Sequence, residues 1–169
     1  GDGAITVSGK AGETLDLAVK ANALPASLAN AFASDLGASG TITVDVNVKG
    51  QAANPTVGFN VDWRNAQVAQ TRAAGLSAFT IGAKGQLADN VLTINANANG
   101  GQGLTVAANG TVGLANQSLS LKVNGRLPFA AIGGQLAESG VALDGNAAFD
   151  LSIGGSTTNP AITGQVTTS

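Results

Sequence analysis

Almost the whole chain alternates apolar with polar or small residues, and this period of two is the first condition a fold must meet. Successive side chains of a strand point to opposite faces, so each alternating run is a strand with one apolar face to hide. Ile42, Val44, Val46 and Val48 share one face against Thr41, Thr43, Asp45, Asn47 and Lys49. Val57, Phe59, Val61 and Trp63 alternate with Thr56, Asn60, Asp62 and Arg64. The same pattern returns in Phe79 and Ile81, in Leu92 and Ile94, and in Leu104 and Val106, the last continuing to Val112 and Leu114. It closes with Leu119, Leu121 and Val123, then Phe149, Leu151 and Ile153.

Turn-forming residues separate these runs. Ala88-Asp89-Asn90 and Leu114-Ala115-Asn116-Gln117 suit short hairpin connections, and Asn99-Gly100-Gly101-Gln102-Gly103 a looser one, so neighbouring strands are expected to pair antiparallel. The expectation is an all-β meander of about ten strands, several longer than the usual five or six residues. Two places break the alternation, each after Leu-Pro. Leu24-Pro25 precedes Leu28, Phe32 and Leu36, and Leu127-Pro128 precedes Phe129, Ile132 and Leu136. Apolar spacing of three to four, with Gly37 or Gly140 as a stop, predicts one or two short amphipathic helices that cap sheet ends, the second weakened by Gly133-Gly134.

Composition narrows the function. The 169 residues include no His, Cys, Met or Tyr, which removes most side chains that carry acid–base, nucleophilic or metal chemistry near neutral pH. The ten acidic residues are dispersed, and there is no His to activate a Ser. Catalysis, a metal site and a cofactor are therefore not expected. With a net charge of −2 and basic residues scattered singly, no stripe exists to neutralise phosphates, so nucleic acid is rejected as a partner. Low charge (11%) with 44% hydrophobic residues argues against disorder. No run of some 18 apolar residues and no charged-then-apolar leader occurs, so neither a membrane-spanning helix nor a signal peptide is expected, and the missing initial Met suggests a piece of something longer. A transmembrane barrel needs aromatic girdles, and one Trp with no Tyr cannot supply two.

The chain also repeats. Gly40 to Val61 reads GTITVDVNVKGQAANPTVGFNV and Gly145 to Val166 reads GNAAFDLSIGGSTTNPAITGQV, with Gly40, Asp45, Gly50, Asn54 and Pro55 falling without a gap on Gly145, Asp150, Gly155, Asn159 and Pro160. Each copy follows a strand, a Leu-Pro and a short helix. The chain 1–169 is thus expected to be a single β segment with two repeat units, about 15–61 and 119–166. Shared Gly and Asn-Pro mark a fixed backbone bend, an architectural role. Asp45 and Asp150 fall on polar faces and are read as solvated.

With strands of the form Gly-x-φ-x-φ-x-φ running into an Asn-Pro loop and another alternating strand, the sequence resembles the TamB and AsmA-like family over nearly its whole length. That resemblance implies a segment of an inner-membrane-anchored protein crossing the periplasm. It implies a TamA-like outer-membrane barrel as partner, reached through the full-length protein, with membrane contact only through parts outside this segment. It implies roles in autotransporter and outer-membrane protein assembly and in phospholipid movement between membranes. The fold it implies is an elongated antiparallel sheet curled into a U-shaped trough, or β-taco, with an apolar interior.

The residues bear on that expectation independently. A sandwich fills a core about 10 Å thick with large side chains, whereas here Val, Leu, Ile and Ala occupy the apolar positions and only 4% of residues are aromatic. A curled sheet with an incompletely filled interior is expected, with Gly82, Gly85, Gly110 and Gly113 easing the curvature. Its lining would be the nineteen large apolar residues named strand by strand from Ile42 to Ile153, Trp63, Val112 and Leu114 aside. Carrying a two-chain lipid through water exposes roughly thirty methylenes at about 0.8 kcal/mol each, on the order of 20 kcal/mol, and a continuous apolar lining removes most of that. An edge such as Ala161 to Thr167 offers another client, an unfolded β-strand taken up by β-augmentation. The rival is a structural adhesin or autotransporter passenger segment, in which the same stripes are a closed core without cargo. Trp63-Arg64 reads either as a lipid-head contact or as a local packing pair.

Overall fold

The computed structural model describes residues 3–31, 33–133, 140 and 144–169. Ten strands form one sheet in strict sequence order, β1 to β10, every neighbouring pair antiparallel. They are β1 (Ala4–Lys10), β2 (Thr14–Pro25), β3 (Ser39–Gln51), β4 (Asn54–Gln67), β5 (Phe79–Ala88), β6 (Val91–Asn99), β7 (Thr105–Gly113), β8 (Leu119–Pro128), β9 (Asn146–Gly155) and β10 (Pro160–Thr168). The all-β antiparallel meander expected from alternation is the observed fold. The sheet is not closed, and β1 and β10 are its two edges.

The two ends of the sheet differ. At one end the connections are tight. Asp89 and Asn90 join β5 to β6 with φ of 50° and 60°, the paired left-handed conformation of a type I′ hairpin turn that follows the strand twist. Ala52 and Ala53 join β3 to β4, and Asn54 with Pro55 opens β4. The Asn54 side-chain amide donates to Asp89 Oδ1 at 2.9 Å, tying these two turns together. At the other end the connections are longer and carry the helical turns.

Short helices are expected after both Leu-Pro pairs, and short helical turns stand there. After Leu24-Pro25, which ends β2, the short helical segment takes the 3-10 form, at Ala26–Ala31 and Ser34–Leu36. The segment is too short for its spacing to matter, and Leu28, expected on an apolar helix face, is 56% exposed while Ala26 takes the buried place. Gly37 does end the second turn, in the left-handed conformation at φ 56°. After Leu127-Pro128 a 3-10 turn covers Phe129–Ile132. Phe32 and Leu136 lie outside the described residues. An α-helix the sequence did not suggest, α1 (Ala69–Ala73), links β4 to β5. The Thr71 hydroxyl steadies its first turn, accepting from the Val68 N–H at 3.0 Å and donating to the Val68 carbonyl at 2.9 Å.

These connections are pinned to the sheet end by polar contacts. Arg72 donates to the Gly37 carbonyl at 2.6 Å and to Ser39 Oγ at 3.3 Å. Asn30 exchanges two hydrogen bonds with the backbone of Ala38, and Trp63 Nε1 donates to the Ser39 carbonyl at 2.9 Å. Among the described residues the buried hydrophobic ones are Ala21, Ala26, Ala38, Ala66 and Leu104, all toward this end, and no large side chain is fully buried.

Candidate functional site

Cross-strand partners share a face, so the register shows how the apolar positions combine. Starting from Val7 on β1, the pairs run through Val19, Val46, Phe59, Gly85, Ile94, Gly110, Leu121 and Ile153 to Ile162 on β10. A second row runs Ile5, Ala21, Val44, Val61, Ala83, Ala96, Ala108, Val123, Leu151, Gly164. A third joins Leu17, Val48, Val57, Leu87, Leu92, Val112 and Leu119. A fourth joins Leu24, Ile42, Trp63, Ile81, Ala98, Val106, Gly125, Phe149 and Val166. Phe79 and Leu104 extend this face toward the helical end, where both side chains flank Gly100. All nineteen residues picked from sequence therefore fall on one face of one sheet.

Exposure differs between the faces. Along β6 the even positions Leu92, Ile94, Ala96 and Ala98 are half-buried while Val91, Thr93, Asn95, Asn97 and Asn99 are exposed, and β8 repeats the pattern. The apolar face is thus the more sheltered one, although Leu104 alone of the nineteen is buried, at 7% exposure. The accessible surface is 10261 Å². A compact monomer of 16.4 kDa exposes about 7,500 Å², and the excess fits a chain in which no large side chain among the described residues is fully buried.

The opposite face is polar. Lys20, Asp45, Asn60, Lys84, Asn95, Asn109, Lys122 and Ser152 form one row across it. Asp45 is half-buried and pairs with Lys20 at 3.5 Å; exposed ion pairs of this kind contribute roughly 0–1 kcal/mol. Asp150 is exposed. Two open depressions of about 500 and 470 Å³ lie on the sheet, one with Lys84, Gln86, Thr93 and Asn95 in its lining, the other with Asn124, Arg126, Ala148 and Gln165. Each also touches an apolar row, the first at Phe59, Gly85 and Ile94 and the second at Gly125 and Phe149.

Some sequence readings are changed here. Leu114 is not part of the face; β7 ends at Gly113 and Leu114 sits in the turn, 50% exposed. Trp63 and Arg64 point to opposite faces, Trp63 opposite Ile42 and Arg64 opposite Thr41, and the indole is held by its bond to Ser39, so the two form no joint binding contact. Of the four glycines expected to ease curvature, only Gly110 has a positive φ, 149°. Gly85 serves a different purpose: a Cβ there would lie 2.7 Å from Phe59 Cζ, so the phenyl ring occupies the space a side chain would fill. Gly125 takes the ring of Phe149 in the same way. The face also includes Ile5, Val7, Leu15, Leu17 and Val19 on β1 and β2, which alternate in the same way.

No group of three or more acidic residues that could hold a metal ion occurs among the described residues, and no helix among them is long and apolar enough to cross a membrane. What the molecule offers is an extended apolar surface and two free sheet edges. Its class is therefore a single-layer antiparallel β meander. Comparison with family models, with curated proteins and with solved structures found no match.

Proposed function

We propose that this chain is a segment of a TamB-like envelope protein in the periplasm, and that its apolar face shields lipid acyl chains as they move between membranes. In this reading the sheet curls into a trough with the apolar rows inward, and the longer protein supplies the inner-membrane anchor and the contact with a TamA-like barrel. The observation that carries it is the uncovered apolar face: four registered rows cross the strands, and beneath them no large side chain is fully buried. The alternative, a passenger segment with a closed core, would bury large side chains on that face, and among the described residues none is fully buried. Because the hydrophobic effect is not directional, such a surface holds chains without locking them, which suits sliding.

The test is photo-crosslinking from Val46 or Leu121 in the protein purified from membrane-containing cells, with mass spectrometry of the adducts. Phospholipid adducts from these sites, and none from Thr43 or Asn60 on the polar face, are expected. Absence of lipid at both apolar sites rejects the proposal.

A second reading is favoured by the edges. Every described residue of β1 and β10 is exposed, and Ile5, Val7, Ile162 and Val166 are 63–67% exposed on the apolar face. An extended strand of an unfolded client can add to such an edge by main-chain pairing.

A further inference from the structure

The polar face carries a notch that the acyl-chain reading does not use. Gly82 of β5 stands opposite Asp62 of β4 on one side and Asn97 of β6 on the other. The next row on the same face sets Asn60, Lys84 and Asn95 side by side, and Thr80 lies two residues before Gly82 on its own strand. Gly82 has no side chain, so these six surround a depression of about 210 Å³. A Cβ at Gly82 would find Asn97 Oδ1 at 3.4 Å and Asp62 Oδ1 at 3.8 Å, so both polar ends lean over the space. Strand geometry makes the opening about 10 Å wide from β4 to β6 and about 13 Å long from Thr80 to Lys84. All three strands are interior to the sheet and paired on both sides.

None of the six side chains forms a hydrogen bond or an ion pair with another described residue, although Lys20 and Asp45 on the same face do pair. Their donors and acceptors are free for a ligand, and the mixture selects its chemistry. Asp62 repels an anion and Lys84 repels a cation. No aromatic ring is present for a base to stack on. Adjacent hydroxyls of a sugar ring present a donor and an acceptor side by side, and a planar amide or carboxylate answers them with parallel hydrogen bonds. Three amides and one carboxylate line the notch.

The depression of about 500 Å³ continues this one along β5, sharing Lys84 and Asn95 and adding Gln86, Thr93 and Val91. Val91 is 42% exposed on this otherwise polar face, where the C–H face of a second ring would cover it.

We propose that the polar face at β4 to β6 is a binding site for a neutral oligosaccharide, with one ring over Gly82 and the next toward Val91. The site lies on the opposite face from the apolar rows and stands whether or not those rows carry lipid.

The test is an NMR titration of the isotope-labelled protein with cellotriose, maltotriose and triacetylchitotriose, and separately with glucose, glycine and inorganic phosphate. At least one trisaccharide should shift the backbone amides of Gly82, Asn95 and Val91 saturably, and bind more tightly than glucose. Gly82→Leu fills the notch and should weaken that binding by about tenfold or more. Asp62→Ala and Asn97→Ala, which remove exposed wall residues without touching the apolar face, should each weaken it severalfold, and Asn109→Ala, on the same face outside the notch, should not. Retained dispersion of the amide spectrum shows that each variant is folded. Absence of a saturable shift with all three trisaccharides overturns the proposal. So do shifts that survive both Asp62→Ala and Asn97→Ala, or saturation by glycine or phosphate in place of sugar.

Discussion

Phe59 and Gly85 are twenty-six positions apart in sequence, yet the space left by one is filled by the other. A valine at Gly85 would set its Cβ against the ring and against the Thr93 carbonyl, which belongs to backbone and cannot swing away. Gly85→Val should therefore lower unfolding stability by about 1–3 kcal/mol, the range for overpacking a fitted site, and urea denaturation measures it. Gly82→Ala is the contrast: the nearest atom to a Cβ there is Asn97 Oδ1 at 3.4 Å, an ordinary contact, so this change should be nearly neutral. The alternation marked Phe59 and put Gly85, unlike Gly82, on the apolar face, but nothing local to Gly85 said that it leaves room for the ring of Phe59. Their roles diverge through register, which is a property of two strands and of the turn joining them.

Among the elements, strands were legible and helical turns were not, for one physical reason. A strand in a half-solvated sheet is written twice over, in alternation and in turn chemistry, so β3, β4 and β6 could be placed to within a few residues. The segments between Pro25 and Ser39 and between Gln67 and Phe79 are short and rich in alanine. Their conformation is decided by tertiary hydrogen bonds such as Asn30 to Ala38 and Arg72 to Gly37. No periodicity announces such bonds. The turn at Asp89-Asn90 is the opposite case, since residues that tolerate left-handed backbone stand where it is required. Asn90→Val puts a β-branched residue at φ 60° and should cost about 1–2 kcal/mol, read as a fall in Tm. Asn90→Gly should leave Tm unchanged or slightly raised.

For the whole molecule, a single layer separates two properties that a filled core ties together. In a closed core, a carboxylate at an apolar position is buried without a partner and costs several kcal/mol, so function and fold fail at once. Here Val46, Phe59 and Leu121 are only half-buried, and a carboxylate there keeps access to water. Val46→Asp, Phe59→Asp and Leu121→Asp should each destabilise the sheet by about 1 kcal/mol, the scale of a lost cross-strand pair, leaving its circular dichroism spectrum in place. If the acyl-chain proposal holds, lipid capture should fall much further, because a charge in the middle of a row breaks the continuity of the apolar face. Aspartate at Thr43 or Asn60, on the other face, should alter neither. If instead the apolar-face variants unfold while the polar-face ones do not, the rows are a packed interior and the acyl-chain proposal is rejected. If both sets fold and capture lipid equally, the lipid resides elsewhere and the uncovered face serves another occupant.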